Sequence, residues 1–235
     1  MWVFPMAAAI VAALFGALLA QQWLTRQKPH QAAWAIAMIM FAVASFAAGL
    51  GVLDEWRPMT YRAFYLFGAI LNVPVLALGT VYLLGPRRFG HALAALLGIA
   101  AIFAAGSVFT ADLSLGALNE ASRNGQIASG SDVMPDGVRT LSRYFSYTFV
   151  IVVGGALWSS WRMARSSSEG LRNLAIGNIL IAAGTLIAAA GSIFARYGQG
   201  AIFAVGLLIG IVVMFLGFLK TRPKPALSEP AGDVS

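Results

Sequence analysis

Asn72 and Pro74 stand two residues apart in the middle of a long apolar stretch, and no other pair in the chain is better placed for chemistry. An asparagine amide donates and accepts hydrogen bonds, and burying it without partners costs several kilocalories. A proline removes a backbone N–H and frees a carbonyl in the preceding turn of a helix. The pair therefore predicts either a contact for an uncharged ligand beside a helix bend, or a repair of the backbone around Pro74.

Four more residues complete the predicted ligand-binding set. Asn178 and Thr80 are neutral hydrogen-bonding groups within apolar stretches, and polar groups at such depth are expected to face other helices. The alternative role for such a group is an interhelical hydrogen bond worth about 0.6 kcal/mol on average. Tyr65 and Tyr147 could line an outward-facing vestibule if the third and fifth helices are neighbours, whereas anchoring in the headgroup zone is their simpler role.

Ionisable side chains are missing from the middle of every apolar stretch. Proton-coupled carriers generally need carboxylates or histidines within the membrane, and His30 and His91 both fall at helix ends. Cysteine is absent, and no serine has a histidine or lysine at depth to activate it. We therefore expect no catalytic residue, no metal and no cofactor, and a protein that is not an enzyme.

Seven apolar stretches carry these residues, and each comes close to the roughly 20 residues that cross a bilayer. The predicted helices cover about 4–25, 31–53, 61–84, 91–111, 141–162, 171–195 and 199–220. The chain is 59% hydrophobic and 11% charged, which is typical of an integral membrane protein. Since a span must satisfy its backbone internally, we predict an all-α fold: one seven-helix transmembrane domain over residues 1–222, followed by a disordered cytoplasmic tail over 223–235.

Basic residues indicate how the chain crosses the membrane, because cytoplasmic loops are rich in lysine and arginine. With the amino terminus outside, ten basic residues fall on the inner side: Arg26, Lys28, Arg87, Arg88, Arg162, Arg165, Arg172, Lys220, Arg222 and Lys224. Six fall on the outer side: Arg57, Arg62, Arg123, Arg139, Arg143 and Arg196. The sequence thus favours an outer amino terminus and an inner carboxyl terminus. The net charge of +7 belongs to helix ends and does not indicate binding of nucleic acid.

The polar segment 112–138 is the one long connection between predicted helices. Its serine, glycine and acidic content is typical of an extracytoplasmic cap or a loop that docks a partner, and a flexible linker is the alternative. Asp112, Asp132 and Asp136 lack the ligand spacing of a calcium loop. The compact loops elsewhere and the lack of cysteine fit a multi-pass protein of a cell membrane, in particular a bacterial inner membrane.

An internal repeat is a further prediction. A shift of 138 residues places Trp23 on Trp161, Gly68 on Gly206 and Gly79 on Gly217. Helices one to three would then match helices five to seven in the same direction, with the fourth as a linker. Such a 3+1+3 parallel repeat occurs in transporters. Chance is the alternative in a chain with 25 glycines.

This layout resembles, in topology, the SWEET sugar facilitators, which carry an asparagine in the third helix of each half and prolines that act as hinges. Asn72 and Pro74 fit the first half, but Gly210 and Val212 occupy the matching positions of the second, so sugar transport is not implied. The layout is also similar to that of microbial rhodopsins, whose seventh helix supplies a Schiff-base lysine. Here that helix has none before Lys220, which excludes this photochemistry.

Glycines at regular spacing predict close helix packing. The predicted packing positions are Gly177, Gly184 and Gly191 on the sixth helix, and Gly206, Gly210 and Gly217 on the seventh. Glycine lets two backbones approach closely, so van der Waals contact replaces the hydrophobic drive that lipid does not provide. The partner surface would lie within the chain or on another subunit.

Two functional classes remain. The first is a non-enzymatic protein that binds or passively carries a small neutral or amphipathic solute without ion coupling. The alternative is an accessory or scaffolding subunit that docks through its glycine-rich faces and outer loop. The expected partners are membrane lipids, the solute, and a homo-oligomer or larger membrane complex. A water-accessible cavity that reaches Asn72 would favour carriage, and a solid interior would favour assembly.

Overall fold

The computed structural model describes residues 1–164, 169–196 and 200–220, and within these ranges all regular structure is helical. The elements are α1 (Val3–Arg26), α2 (Pro29–Leu53), α3 (Pro58–Phe64), a π-helical segment (Tyr65–Leu71), α4 (Asn72–Leu84), α5 (Arg87–Phe109), α6 (Leu115–Arg123), α7 (Gly130–Val133), α8 (Asp136–Ser146), α9 (Phe149–Ala164), α10 (Glu169–Arg196) and α11 (Gly200–Lys220). The prediction of an all-helical fold is confirmed for these ranges. The predicted tail 223–235 lies outside the described residues.

Five helical stretches are long and apolar enough to cross a membrane: α1, α2, α5, α11 and the continuous run Pro58–Leu84, here called the third span. The chain is therefore a multi-pass membrane protein by length and composition. Two of these stretches start earlier than expected, at Pro58 rather than 61 and at Arg87 rather than 91. Pro58 is the first residue of α3 and Pro86 immediately precedes α5, because the fixed φ of proline suits the start of a helix.

The single helix expected over 141–162 is interrupted in the structure. α8 ends at Ser146 and α9 begins at Phe149, with a turn at Tyr147 and Thr148 between them. The Thr148 hydroxyl donates to the Phe145 carbonyl at 2.6 Å. A hydroxyl that bonds to nearby backbone competes with the helical ladder and bends a helix. A threonine inside an apolar run does not change the hydropathy pattern, so the sequence alone did not predict the break.

The long helices form a ring in the order α1, α2, third span, α9, α10 and α11, and α11 returns to pack against α1. α5 lies outside this ring, against the third span and α8. Apolar side chains from five of the ring elements fill one shared core, among them Phe15, Met38, Leu76, Val152 and Ile211. The middle of the ring is therefore packed with side chains.

Residues 112–138 fold back over one end of the ring and are here called the cap. They include α6, α7 and the first residues of α8. The Trp56 backbone N–H donates to the Ser122 hydroxyl at 2.9 Å, and its indole N–H donates to the Gln126 carbonyl at 2.9 Å. The Tyr61 hydroxyl donates to the Ser129 carbonyl at 3.3 Å. Of the two alternatives for this segment, the structure has the cap and not a flexible linker.

Apolar burial holds the cap in place as well. Leu118, Val133 and Met134 of the cap are buried in a second core with Trp56 and Tyr61. Tyr61 is completely buried. The cap therefore packs on the aromatic side chains at the start of the third span. The cap end of the bundle is closed by this arrangement.

Arg62 joins the third span to the end of α5. Its Nε donates to the Val108 carbonyl at 3.2 Å, and a terminal guanidinium nitrogen donates to the Ala111 carbonyl at 2.9 Å. The last carbonyls of a helix have no intrahelical donor, and a cation there also complements the helix dipole. Arg62 therefore caps α5 from a neighbouring element.

Replacing Arg62 by methionine keeps most of the aliphatic stem and removes both hydrogen bonds. Because hydrogen bonds to charged groups contribute about 1.5–3 kcal/mol, we expect Arg62→Met to lower the thermal unfolding midpoint in detergent by several degrees. Arg123→Met, at an exposed position of α6, is the matched control and should leave the midpoint unchanged. Equal midpoints for the two variants would contradict the capping role of Arg62.

Candidate functional site

The third span changes helical type around Pro74. From Tyr65 to Leu71 the ladder is π-helical, and the Asn72 N–H pairs five residues back with the Phe67 carbonyl. In this register the N–H of residue 74 would pair with the Ala69 carbonyl, but proline has no N–H. The Ser142 hydroxyl of α8 donates to that carbonyl instead, at 2.9 Å. A hydroxyl from another helix thus satisfies the Ala69 carbonyl close to the junction between the π-helical segment and α4.

Asn72 is engaged by the neighbouring helix. Its side-chain N–H donates to the Ala37 carbonyl of α2 at 2.6 Å, and the residue is only 7% exposed. Four residues later, the Trp34 indole N–H donates to the Leu76 carbonyl at 3.2 Å. Both bonds run between α2 and the third span. The contact that the structure gives Asn72 is therefore an interhelical hydrogen bond.

Asn178 makes an interhelical contact too. Its side-chain N–H donates to the Ser159 hydroxyl at 3.1 Å, which joins α10 to α9. The predicted tyrosines are not brought together as a vestibule. Tyr65 is buried beneath Gly130 of the cap, whereas Tyr147 is 59% exposed and stacks edge to face against Tyr144.

The glycines of α10 and α11 face one another inside the chain. A Cβ added at Gly184 would lie 2.5 Å from the Gly210 carbonyl oxygen, and one at Gly217 would lie 2.6 Å from the Gly177 carbonyl oxygen. Gly191 and Gly206 also meet backbone to backbone. A side chain at Gly184 or Gly217 would push the two helices apart, whereas a Cβ at Gly191 would make ordinary van der Waals contact at 3.5 Å. The glycine faces are consequently occupied by intramolecular packing and are not available to another subunit.

A lateral groove of about 570 Å³ opens between the third span and α9, and it is here called the groove. Its lining is Thr80, Val81, Leu84, Gly85, Pro86, Phe89, Val150, Ile151, Gly154, Gly155 and Trp158. Thr80 is the one predicted ligand-binding residue among them. Asn72, Pro74 and Asn178 do not line it. The groove lies on the side of the bundle, and apart from Thr80 its side chains are apolar or aromatic.

Small residues on α9 create the groove. Gly155 packs directly on Thr80, since an added Cβ there would lie 2.5 Å from the threonine methyl. Gly154 has no neighbouring atom within 4 Å of the place where its Cβ would be, so it leaves open space beside that contact. The Thr80 hydroxyl is turned to its own helix and donates to the Leu76 carbonyl at 3.4 Å. The floor of the groove therefore offers mainly a methyl group and glycine backbone.

One end of the groove lies where the third span turns into α5. Pro86 and Phe89 line it, and Arg87 and Arg88 stand between them in the chain, both exposed. The turn is fixed by a hydrogen bond of 3.0 Å between the Tyr82 hydroxyl and His91 Nδ1. Gly90 makes room for the Tyr82 ring, because a Cβ at that position would overlap it. Arg87 and Arg88 are thus exposed residues that stand next in the chain to residues lining the groove mouth.

Several residues of the groove were missed by sequence reasoning. From the sequence, Trp158 is interpreted as a membrane-interface anchor and Phe89 as an ordinary apolar residue at a helix end. The adjacent pair Gly154 and Gly155 was the available signal, since two consecutive glycines in a short apolar helix predict a gap or a close approach. Whether they leave a gap depends on which helix lies opposite, and this information is not local.

No protein-family profile, curated protein or solved structure matches this chain.

The bond from Asn72 to α2 leads to a stability prediction. We expect Asn72→Leu to lower the free energy of unfolding by about 0.6 kcal/mol and by no more than about 1.7 kcal/mol, the mean and the maximum measured for interhelical hydrogen bonds in a membrane protein. Thermal unfolding in detergent measures this loss, and Asn119→Leu at an exposed cap position is the control. An unchanged midpoint for Asn72→Leu would show that the bond to Ala37 contributes nothing.

Proposed function

We propose that this protein binds an amphipathic molecule from the surrounding membrane in the groove between the third span and α9, without enzymatic chemistry and without ion coupling. The observation that carries the proposal is a groove with an almost entirely apolar lining that is open to the side of a bundle whose interior is packed. In a membrane, such an opening faces lipid. Because Asn72 is bonded to α2 and lies outside the groove, the proposal is binding at the side of the bundle rather than passage through it.

The order in which the helices contact one another around the ring supports the proposed 3+1+3 repeat. If α1, α2 and the third span correspond to α9, α10 and α11, then the contact of the third span with α9 corresponds to that of α11 with α1, and both are present. The 138-residue shift places Thr80 on Phe218 and Ala77 on Phe215. Both of these phenylalanines pack on Phe15 of α1, with ring centroids 4.8 and 5.3 Å apart. Phenylalanines fill one of the two equivalent interfaces, and smaller residues leave the groove in the other.

The proposal includes seven membrane crossings, with the amino terminus outside. α8 and α9 together, and α10, would supply the two crossings beyond the five long apolar stretches. The charge distribution supports this orientation. Ten of the sixteen lysines and arginines fall on the side away from the cap, against six on the cap side. A strongly basic end is typical of the cytoplasmic side, which fits a bacterial inner membrane.

A role as accessory subunit of a larger membrane complex is the second candidate, and the position of α5 favours it. Only 11% of the apolar window of α5 is buried within the chain, the lowest value among the five long stretches. Leu96, Ile99 and Ile102 are largely exposed on it. A partner helix would bury this surface. Copurification in mild detergent distinguishes the two functions, because a stoichiometric second protein is expected only for an accessory subunit.

Filling the groove tests the proposed function. Gly154→Leu adds a side chain at a groove position where the Cβ has no neighbour within 4 Å, and Gly98→Leu makes the same change at an open, exposed position of α5. We expect Gly154→Leu to weaken binding of a fluorescent zwitterionic lysophospholipid at least tenfold, while Gly98→Leu binds like the parent. A tenfold loss corresponds to about 1.4 kcal/mol, and its cause would be the leucine side chain occupying the space of the probe.

Fluorescence anisotropy of the probe in detergent gives the affinity of each variant. Thermal unfolding of both glycine variants shows whether they remain folded. Equal affinities for Gly154→Leu and Gly98→Leu would remove the groove as a binding site.

A further inference from the structure

We propose that the groove is selective for an anionic phospholipid, whose phosphate is held by Arg87 and Arg88 while one acyl chain lies along α9. This inference rests on the proposed function and names the chemical class of the ligand. It concerns the mouth of the groove, whereas the proposed function concerns the apolar lining.

Two cations stand next in the chain to residues that line the mouth of the apolar groove. Pro86 and Phe89 line the groove and bracket Arg87 and Arg88 in the chain. The hydrogen bond between Tyr82 and His91 holds the turn that carries both arginines. Guanidinium groups bind phosphate oxygens through several donors in a fixed plane, which makes arginine the preferred residue for phosphate recognition. An anionic headgroup at the mouth and an acyl chain inside would satisfy both parts of the site at once.

No carboxylate competes for these arginines nearby in the sequence. The chain has no Asp or Glu between Glu55 and Asp112, nor between Asp136 and Glu169, and these two segments supply every lining residue of the groove. The two ion pairs seen in the described part of the chain, Arg57 with Asp54 and Arg139 with Asp136, involve other arginines. Within the described residues, Arg87 and Arg88 are therefore not engaged in an ion pair.

The groove has the length of an acyl chain in one leaflet. Its lining on α9 extends from Val150 to Trp158, and eight residues of α-helix rise about 12 Å. One leaflet contributes about half of a hydrocarbon core of about 30 Å. A chain that enters between Pro86 and Trp158 would thus reach Thr80 and Val150 near the middle of the membrane.

A second groove repeats the same chemistry. It measures about 480 Å³ and is lined by Leu180 of α10 and by Leu216, Leu219 and Lys220 of α11. Its lining combines leucine side chains with one cation. Two apolar grooves, each with basic side chains in or beside the lining, match amphipathic ligands with negative headgroups better than neutral ones.

The experiment compares two lipids that differ only in charge. The purified whole chain is incubated with phosphatidylglycerol and phosphatidylcholine of identical acyl chains, and native mass spectrometry counts the bound lipid. We expect the parent to retain phosphatidylglycerol preferentially. Arg87→Gln/Arg88→Gln should reduce this preference by about fivefold per arginine, roughly 25-fold in all. Arg123→Gln/Arg143→Gln removes two exposed arginines elsewhere and should keep the preference.

The outcomes separate the two proposals. Equal retention of both lipids by the parent, or an unchanged preference in Arg87→Gln/Arg88→Gln, would overturn anionic selection. So would an equal loss in both double variants, because net charge alone would then explain the preference. In each of these cases the proposed function still stands if Gly154→Leu loses the zwitterionic probe and Gly98→Leu keeps it. If Gly154→Leu keeps the probe and the anionic lipid, the groove is not the site and both proposals fail.

Discussion

The structure depends on one constraint: a backbone carbonyl that loses its donor inside a membrane has no water to replace it. Pro74 creates that situation in the middle of the third span, and the ladder widens to a π-helix just before it. The Ser142 hydroxyl then has to reach the Ala69 carbonyl, which fixes α8 against the third span. The turn between α8 and α9 follows shortly afterwards in the chain. Ser142 thus joins α8, the helix that precedes α9 in the chain, to the third span.

The third span acts as the hub of the bundle for the same reason. It receives side-chain donors from α2 at the Leu76 carbonyl and from α8 at the Ala69 carbonyl, and its own Asn72 donates to α2. Arg62 at its other end caps α5. Such bonds are individually weak in membranes, but they are directional, whereas apolar contact with lipid or with another helix is nearly equivalent in energy. Directional bonds from one helix to its neighbours therefore specify which helices are adjacent.

The sequence predicted what depends on composition and local pattern. Apolar length gave the helices, and glycine spacing indicated that α10 and α11 contain close-packing surfaces. The sequence also identified Asn72 and Pro74 as a pair, and left open whether they bind a ligand or repair the backbone. It did not predict the partner of either residue, because Ala37 and Ser142 are 35 and 73 residues from the groups they contact. The groove was missed for a related reason. Gly154 borders a gap because no atom of another helix lies opposite it, and the local sequence does not contain that information.

A packed, neutral interior also limits where recognition can occur. Phe15, Met38 and Ile211 occupy the middle of the ring, and nonpolar packing there discriminates poorly between one hydrophobic ligand and another. Strong discrimination requires charged groups or hydrogen-bonding groups that are still free to bond. In this chain the charged side chains lie at or beyond the helix ends, and Asn72 and Thr80 inside the third span already donate to backbone carbonyls. At the cap end, Trp56 and Tyr61 use their polar atoms to hold the cap. At the other end, Arg87 and Arg88 are exposed beside an open apolar groove. Selectivity for a ligand would therefore arise at the groove mouth, and the interior would contribute shape.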